Sequence, residues 1–416
     1  MPTGAGRLFC FDALTGNELW RYATDAYTPD DPMQWANTGT PALVDPVQTG
    51  IEGREGPVRL YDIVFGCKSK VYCLIPQAGG GPPQVRWTYT LPDRYRTQAC
   101  PVVRYDGRMY IPVYADNRPA APGLLIALNK NGTEAWRLEL DAYDGPDDPR
   151  MDNVVFTNPA MGADGTIYLT AIAGQETEDA FPKSGTLYAI QDLGSSGQVK
   201  WRFRPDFDEE GPGFSLAFSS PCVGDDGRIY FGTWDIVKNE QGQVISQSGT
   251  LWAVEEVGGH PEEDWRLSSI NGRPLGPVES SPVVTSNHVV HVGSVSSATQ
   301  YRGAFLKATG ANQQVSAVLM FESPGVIGDD ECNVDATGCI GINGATYRVF
   351  QTGEYGDARA FDPLGNLLWG PQQIHRTDLT SVAMGHDGTI YVGTRGGTHG
   401  GGDTLPGYVY ALWGFE

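Results

Sequence analysis

No run of eighteen or more apolar residues occurs in the 416-residue chain, which excludes a membrane-spanning helix. Met1 to Arg7 lacks the charged and apolar regions of a secretory leader. Positive charge is scarce, with 29 Lys and Arg against 50 Asp and Glu and a formal net charge of −21. Phosphate backbones and anionic lipid attract clustered Lys and Arg, so the balance argues against nucleic acid. Helical periodicity is nearly missing, because 54 Gly and 29 Pro interrupt every long window. No Cys-x-x-Cys-His haem motif, Ser-His-Asp order, nucleophile elbow or glycosidase carboxylate pair stands out. The Gly396 to Gly402 run (GGTHGGG) lacks the Lys-Ser/Thr and helix of a phosphate loop. His288 and His291, three apart on a strand, face opposite ways. His291 falls where Tyr230 and Tyr391 stand and reads as a packed aromatic substitute.

What is present is a repeat. Trp20, Trp87, Trp136, Trp201, Trp265 and Trp369 each stand eleven to sixteen residues after the start of a short apolar phrase, such as LFCFD at Leu8 or LYAIQ at Leu187. A second phrase alternates with it: a small residue, usually Pro, a few apolar residues, a turn, then a strand ending in Gly, as in Ser220 to Gly232 (SPCVGDDGRIYFG). Asp106-Gly107, Asp164-Gly165, Asp226-Gly227 and Asp387-Gly388 sit mid-phrase, the two-residue hairpin signal in which both central residues take positive φ. Joined, the phrases give four antiparallel strands per unit, here A to D, and such sheets repeated radially make a β-propeller.

The predicted fold is therefore all-β, one propeller domain over residues 1–416. Successive C strands start between 51 residues (Ala358 to Val409) and 64 residues (Leu187 to Leu251) apart, longer than a bare blade of about 40–45 residues. The excess belongs to loops. Eight C strands but seven A–B hairpins favour seven blades closed by N- and C-terminal strands, with eight, one incomplete, as the alternative. Basic residues beside the tryptophans suit an outer edge strand, where charge discourages edge-to-edge pairing.

Five of the seven cysteines fit the repeat as small packing residues: Cys10 and Cys73 align with Ala127, Ala189 and Ala253, Cys67 follows a strand-ending Gly, and Cys100 and Cys222 flank prolines. Cys332 and Cys339 lie in an acidic insertion, DDECNVDATGC. They form the candidate disulfide, which would imply an oxidising compartment.

FDALTGNELW (Phe11 to Trp20), IALNKNGTEAW (Ile126 to Trp136) and AFDPLGNLLW (Ala360 to Trp369) resemble the pyrroloquinoline quinone-like repeat of quinoprotein-type propellers. The resemblance covers nearly the whole chain and implies that each Trp docks one blade on the next, so Trp201→Ala would cost roughly 3–5 kcal/mol. The unit at Phe305 lacks its Trp and is expected to pack less regularly. Dehydrogenases of this family carry a Ca2+-quinone site with an Asp base and adjacent cysteines. No adjacent Cys pair exists here. The chain resembles more closely the cofactor-free branch typified by the outer-membrane assembly lipoprotein, which binds proteins; a lipidated cysteine near the start is not visible.

Acidic D–A loops form the remaining feature, and they would make one face negative. Asp141, Asp144, Asp147, Asp148, Asp206 and Asp208 are the candidate metal ligands, since clustered carboxylates suit Ca2+, although no loop has calcium-hand spacing; a solvated acidic surface is the plainer reading. The leading expectation is a non-catalytic propeller, without cofactor, that presents this face to a protein partner in the periplasm, at the outer membrane or outside the cell. A quinone- and Ca2+-dependent alcohol or sugar dehydrogenase is the alternative. A third is a carbohydrate-binding adhesin using Trp35 and Trp234.

Overall fold

A computed structural model describes residues 6–26, 39–53, 56–77, 79–115, 121–140, 157–172, 185–205, 213–239, 241, 243–295, 304–322, 332–333, 337–352, 355–375, 381–385, 387–394, 397–398, 404–405 and 407–412. The chain is an all-β, seven-bladed β-propeller with no helix among the described residues; six blades are described with at least four antiparallel strands and the last with three. Contacts cluster into two compact units, Met1–Lys183 with Tyr188–Lys200, and Ser184–Leu187 with Trp201–Glu416.

In the first unit, Arg7–Phe11 pairs with Glu18–Ala23 as a C–D hairpin. Blade 1 follows in the order Ala42–Gly53, Gly56–Cys67, Lys70–Ile75 and Gln84–Thr90. Blade 2 comprises Val102–Val103, Met109–Ala115, Gly123–Leu128 and Glu134–Leu140, with Tyr95–Arg96 added to its second strand. Blade 3, Ala160–Met161, Ile167–Ile172, Gly185–Asp192 and Gly197–Phe203, carries the division between units in its last two strands.

The second unit holds blade 4 (Cys222–Val223, Ile229–Lys238, Val244–Val257, His260–Leu267) and blade 5 (Val283–Val284, Val290–Ser294, Ala304–Ala311, Gln314–Glu322). Blade 6 runs Cys339–Ile340, Thr346–Thr352, Tyr355–Phe361 and Leu367–His375. Val382–Met384, Ile390–Gly393 and Val409–Leu412 form a three-stranded sheet.

B and C strands are buried on both faces, as the all-buried Gly123–Leu128 and Ile167–Ile172 show. Their continuous apolar phrases follow from packing between blades. D strands alternate buried and exposed residues, and Glu18–Arg21, Glu134–Arg137 and Glu263–Arg266 pairs line them.

The A–B turns correct one expectation. Gly107, Gly165, Gly227 and Gly388 have φ of 82–84°, but the aspartates before them do not take positive φ. Arg104 N–H donates to Arg108 O and Gly107 N–H to Arg104 O, a three-residue loop in which only the last residue is left-handed. Aspartate contributes a side-chain acceptor instead: Asp106, Asp164, Asp226 and Asp387 each take the backbone N–H two residues on.

Buried hydroxyls just before the A strands pin the start of blades 2 to 5. Thr97 and Thr157 donate to the carbonyls of Pro112 and Thr170, while Ser219 and Ser280 bond both the N–H and the C=O of Gly232 and Gly293.

Candidate functional site

Tryptophan organises the contact between neighbouring blades. Cys10, Cys73, Ala127, Ala253 and Ala360 lie directly across from Trp20, Trp87, Trp136, Trp265 and Trp369, so a small residue on the C strand makes room for each indole. Trp20, Trp136, Trp201 and Trp265 are buried, and Trp87 and Trp369 are partly so. Trp87, Trp136, Trp201 and Trp265 reach the C–D turn of the following blade. A Cβ on Gly132 would lie 2.5 Å from Trp87, one on Gly197 2.6 Å from Trp136, and one on Gly310 2.9 Å from Trp265. Three indoles also donate there: Trp87 to Lys130 O at 3.1 Å, Trp136 to Asp192 Oδ1 and Trp201 to Glu256 Oε2, both at 2.8 Å.

A β-bulge precedes the Trp in these D strands. Cys73 faces Trp87 and Leu74 faces Val85, which leaves Arg86 as the extra residue, and Asp264 is extra in the same way. Bulges re-aim a side chain, and here they send Arg86 onto Asp62 and Asp264 onto Arg228, each at 2.6 Å. The same site thus carries the same ion pair with the charges exchanged.

Blade 5, which lacks the Trp, has Ala317 opposite Ala308, and its bulge moves to Met320. Met320 contacts the Gly365 position of the next C–D turn, and Lys307 donates to Pro363 O at 2.9 Å. Docking persists there with different chemistry.

Between blades 2 and 3 the polar contact is densest. The Asp192 side chain is 1% exposed and accepts from Tyr110 at 2.7 Å, Gly194 N–H at 2.7 Å, Trp136, Arg104 and Arg108. Burial alone would raise its pKa, but bonds from Tyr110, Gly194, Trp136 and Arg108 outweigh it and hold the carboxyl below its ordinary range. Asp106, bonded by Arg104, is held down to about 2. Beside this contact a 740 Å³ pocket between blades 1 and 2 is lined by Asp62, Arg86, Trp87, Asp106, Arg108 and Lys130 among others. Its acids are already paired with arginines.

Asp141, Asp144, Asp147, Asp148, Asp206 and Asp208 lie outside the described residues, as does Trp35. Trp234 donates to Gln247 and packs on Phe218. The expected Cys332–Cys339 disulfide does not form. Cys332 pairs with Thr352 and Cys339 with Tyr347 on one strand, about 16 Å apart at a strand's rise per residue. A disulfide needs Cα atoms within about 7 Å, and Cys339 is a free thiol. Burial pushes the Cys100, Cys222 and Cys339 thiols up to about 11, which suits packing residues and not nucleophiles. Cys67 and Cys73 are buried in the core.

One cluster was not legible in the sequence. The A–B turns of blades 4 and 5 bring His288 Nδ1 to 3.2 Å from Asp225 Oδ1 and 3.1 Å from Asp226 Oδ2. The residues are 62 and 63 positions apart, and neither spacing matches a metal motif.

These features define a β-propeller whose blade contacts are built from Trp and paired charges. No family model and no curated protein matches the chain. Among solved structures it is similar to the Dos1 propeller, at 8% identity over 92% of this chain and 78% of that one, TM-score 0.47. A protein of unknown function from Desulfotomaculum acetoxidans DSM 771 is 10% identical over 88% and 92%, TM-score 0.43. A luciferin-regenerating enzyme is 10% identical over 76% and 90%, TM-score 0.40.

Proposed function

We propose that this chain is a non-catalytic binding module for another protein, of the pyrroloquinoline quinone-like repeat type but working without cofactor, in the bacterial cell envelope or outside the cell. Supporting this reading, the buried Asp192 carboxylate and its arginine, tyrosine and tryptophan donors are committed to holding blade 2 to blade 3. The observation that carries it is what is left over at the turns. Tyr105 and Ile342, on A–B turns, are essentially fully exposed, and Leu14, Leu193 and Leu364 stand out on C–D turns. Large apolar side chains held on rigid turns suit a partner's pockets, and Tyr is among the residues that dominate interface energetics. The acidic composition adds a charged surround that favours a basic partner.

Crosslinking and affinity capture with the intact protein should return a specific protein partner, and Tyr105→Ser with Leu193→Ser, both in the first unit, should weaken its capture while leaving thermal stability unchanged. Capture indifferent to both changes, together with dye reduction that requires added quinone and Ca2+, would instead establish the dehydrogenase reading.

A further inference from the structure

The A–B turn of blade 5 is unlike the others. Gly107, Gly165, Gly227, Gly344 and Gly388 occupy the left-handed position of the corresponding turns, whereas blade 5 places His288 there at φ 61°. A left-handed non-glycine residue crowds its Cβ against the backbone and is unfavourable. The backbone bonds of the turn are the same, with Thr285 N–H on Val289 O and His288 N–H on Thr285 O. What differs is the side chain, which reaches the neighbouring turn.

There Nδ1 of His288 is shielded from water and makes no hydrogen bond of acceptable geometry, yet two carboxylate oxygens lie within 3.2 Å of it. Three electron-pair donors thus converge on one point, an arrangement that a cation relieves. The charge count agrees. Asp226 Oδ2 is also bonded by Arg228 at 2.6 Å, and Arg228 is shared with buried Asp264. Asp226 and Asp264 therefore share one guanidinium while Asp225 stands beside His288, so three carboxylates are set against one guanidinium, leaving two negative charges. Because Arg228 keeps Asp264 as a partner, Asp226 Oδ2 can be shared with an incoming ion.

We propose that His288, Asp225 and Asp226 form a site for a divalent cation of the zinc class, tying the A–B turns of blades 4 and 5. A tetrahedral Zn2+ sits about 2.0–2.2 Å from nitrogen and carboxylate ligands, which places ligand atoms roughly 3.3 Å from one another. The observed 3.1 and 3.2 Å separations match that spacing. Ca2+ takes oxygen ligands only, six to eight of them at about 2.3–2.6 Å, and an imidazole does not suit it. The Asp225 side chain is 63% exposed, so the ion has an entry path and water completes its coordination.

The test uses the full chain, stripped with chelator and dialysed against ZnCl2, with bound metal counted by elemental analysis and Co2+ substituted for its visible absorption. One Zn2+ per chain is expected in the wild type and in Asp93→Asn, an exposed carboxylate elsewhere. His288→Gly, which suits the turn backbone and so folds, should lose the ion and its Co2+ spectrum, as should Asp225→Asn. Zinc bound equally well by both variants, or no zinc bound by the wild type, overturns the proposal.

Discussion

Asp192 and His291 are the buried ionisable residues whose surroundings most clearly set pH dependence. Asp192→Asn keeps the shape but leaves Arg104 and Arg108 without their shared anion. Breaking a buried pair costs about 3–5 kcal/mol, and we expect about 3 kcal/mol because both guanidinium groups remain partly in water; the urea midpoint at pH 7 measures it. Asp192 titrates below its unfolded range, so its contribution is fully present above about pH 4 and is lost as pH falls through the native value. The variant should therefore flatten the acid limb of the stability curve. His291 is 1% exposed, with Nδ1 3.1 Å from Thr346 Oγ1, and burial, with Arg348 and Lys307 adding repulsion, brings its pKa from 6.5 down to about 4. A depressed histidine stabilises above the unfolded pKa and loses that contribution as pH falls towards the native value, about 3 kcal/mol between pH 6.5 and 4. His291→Tyr, the residue of the equivalent Tyr230, should remove that slope in chemical denaturation, and a slope unchanged in the variant would contradict the assignment.

At the scale of the element, the unit of assembly is an indole on a glycine turn. Gly197→Ala would push a methyl to 2.6 Å from Trp136, an overpacking that costs about 1–3 kcal/mol. Gly165→Ala is the control for backbone strain alone, since its φ is 83° but no atom lies within 4 Å of the added Cβ; it should cost about 1–2 kcal/mol. Pairing Gly197→Ala with Trp136→Ala should recover part of the loss, because the smaller side chain removes the clash, and a double-mutant cycle in guanidinium reports the coupling. The Trp register was readable in the sequence because the Trp and the small residue opposite it recur in every unit that has the indole. The bulge before the Trp was not, since one extra residue in a strand leaves no compositional mark. It decides where Arg86 and Asp264 point.

For the whole molecule, reading residues 1–416 as one domain predicts a single unfolding transition, with tryptophan fluorescence and far-ultraviolet circular dichroism superimposing on one denaturant curve. Two separated transitions would mean that the two compact units fold independently. The net charge of −21 predicts that association with a basic partner weakens as salt rises, measurable as a falling association rate.

The sequence by itself determined the strands, their order and the blade repeat, because alternation, turn chemistry and a recurring Trp are local properties written within each unit. It misread the Asp-Gly turns only in detail, since a type I turn with one left-handed glycine uses the same two residues as its mirror-image form. It also offered Cys332 and Cys339 as a candidate disulfide, because closeness in sequence hides that two short strands pair at different heights on one partner. Which charges meet was decided by tertiary structure alone. Asp192 reaches Arg108, and His288 reaches Asp225, only because blades stack side by side and bring together turns separated by a full repeat. No residue pattern within one blade encodes that meeting.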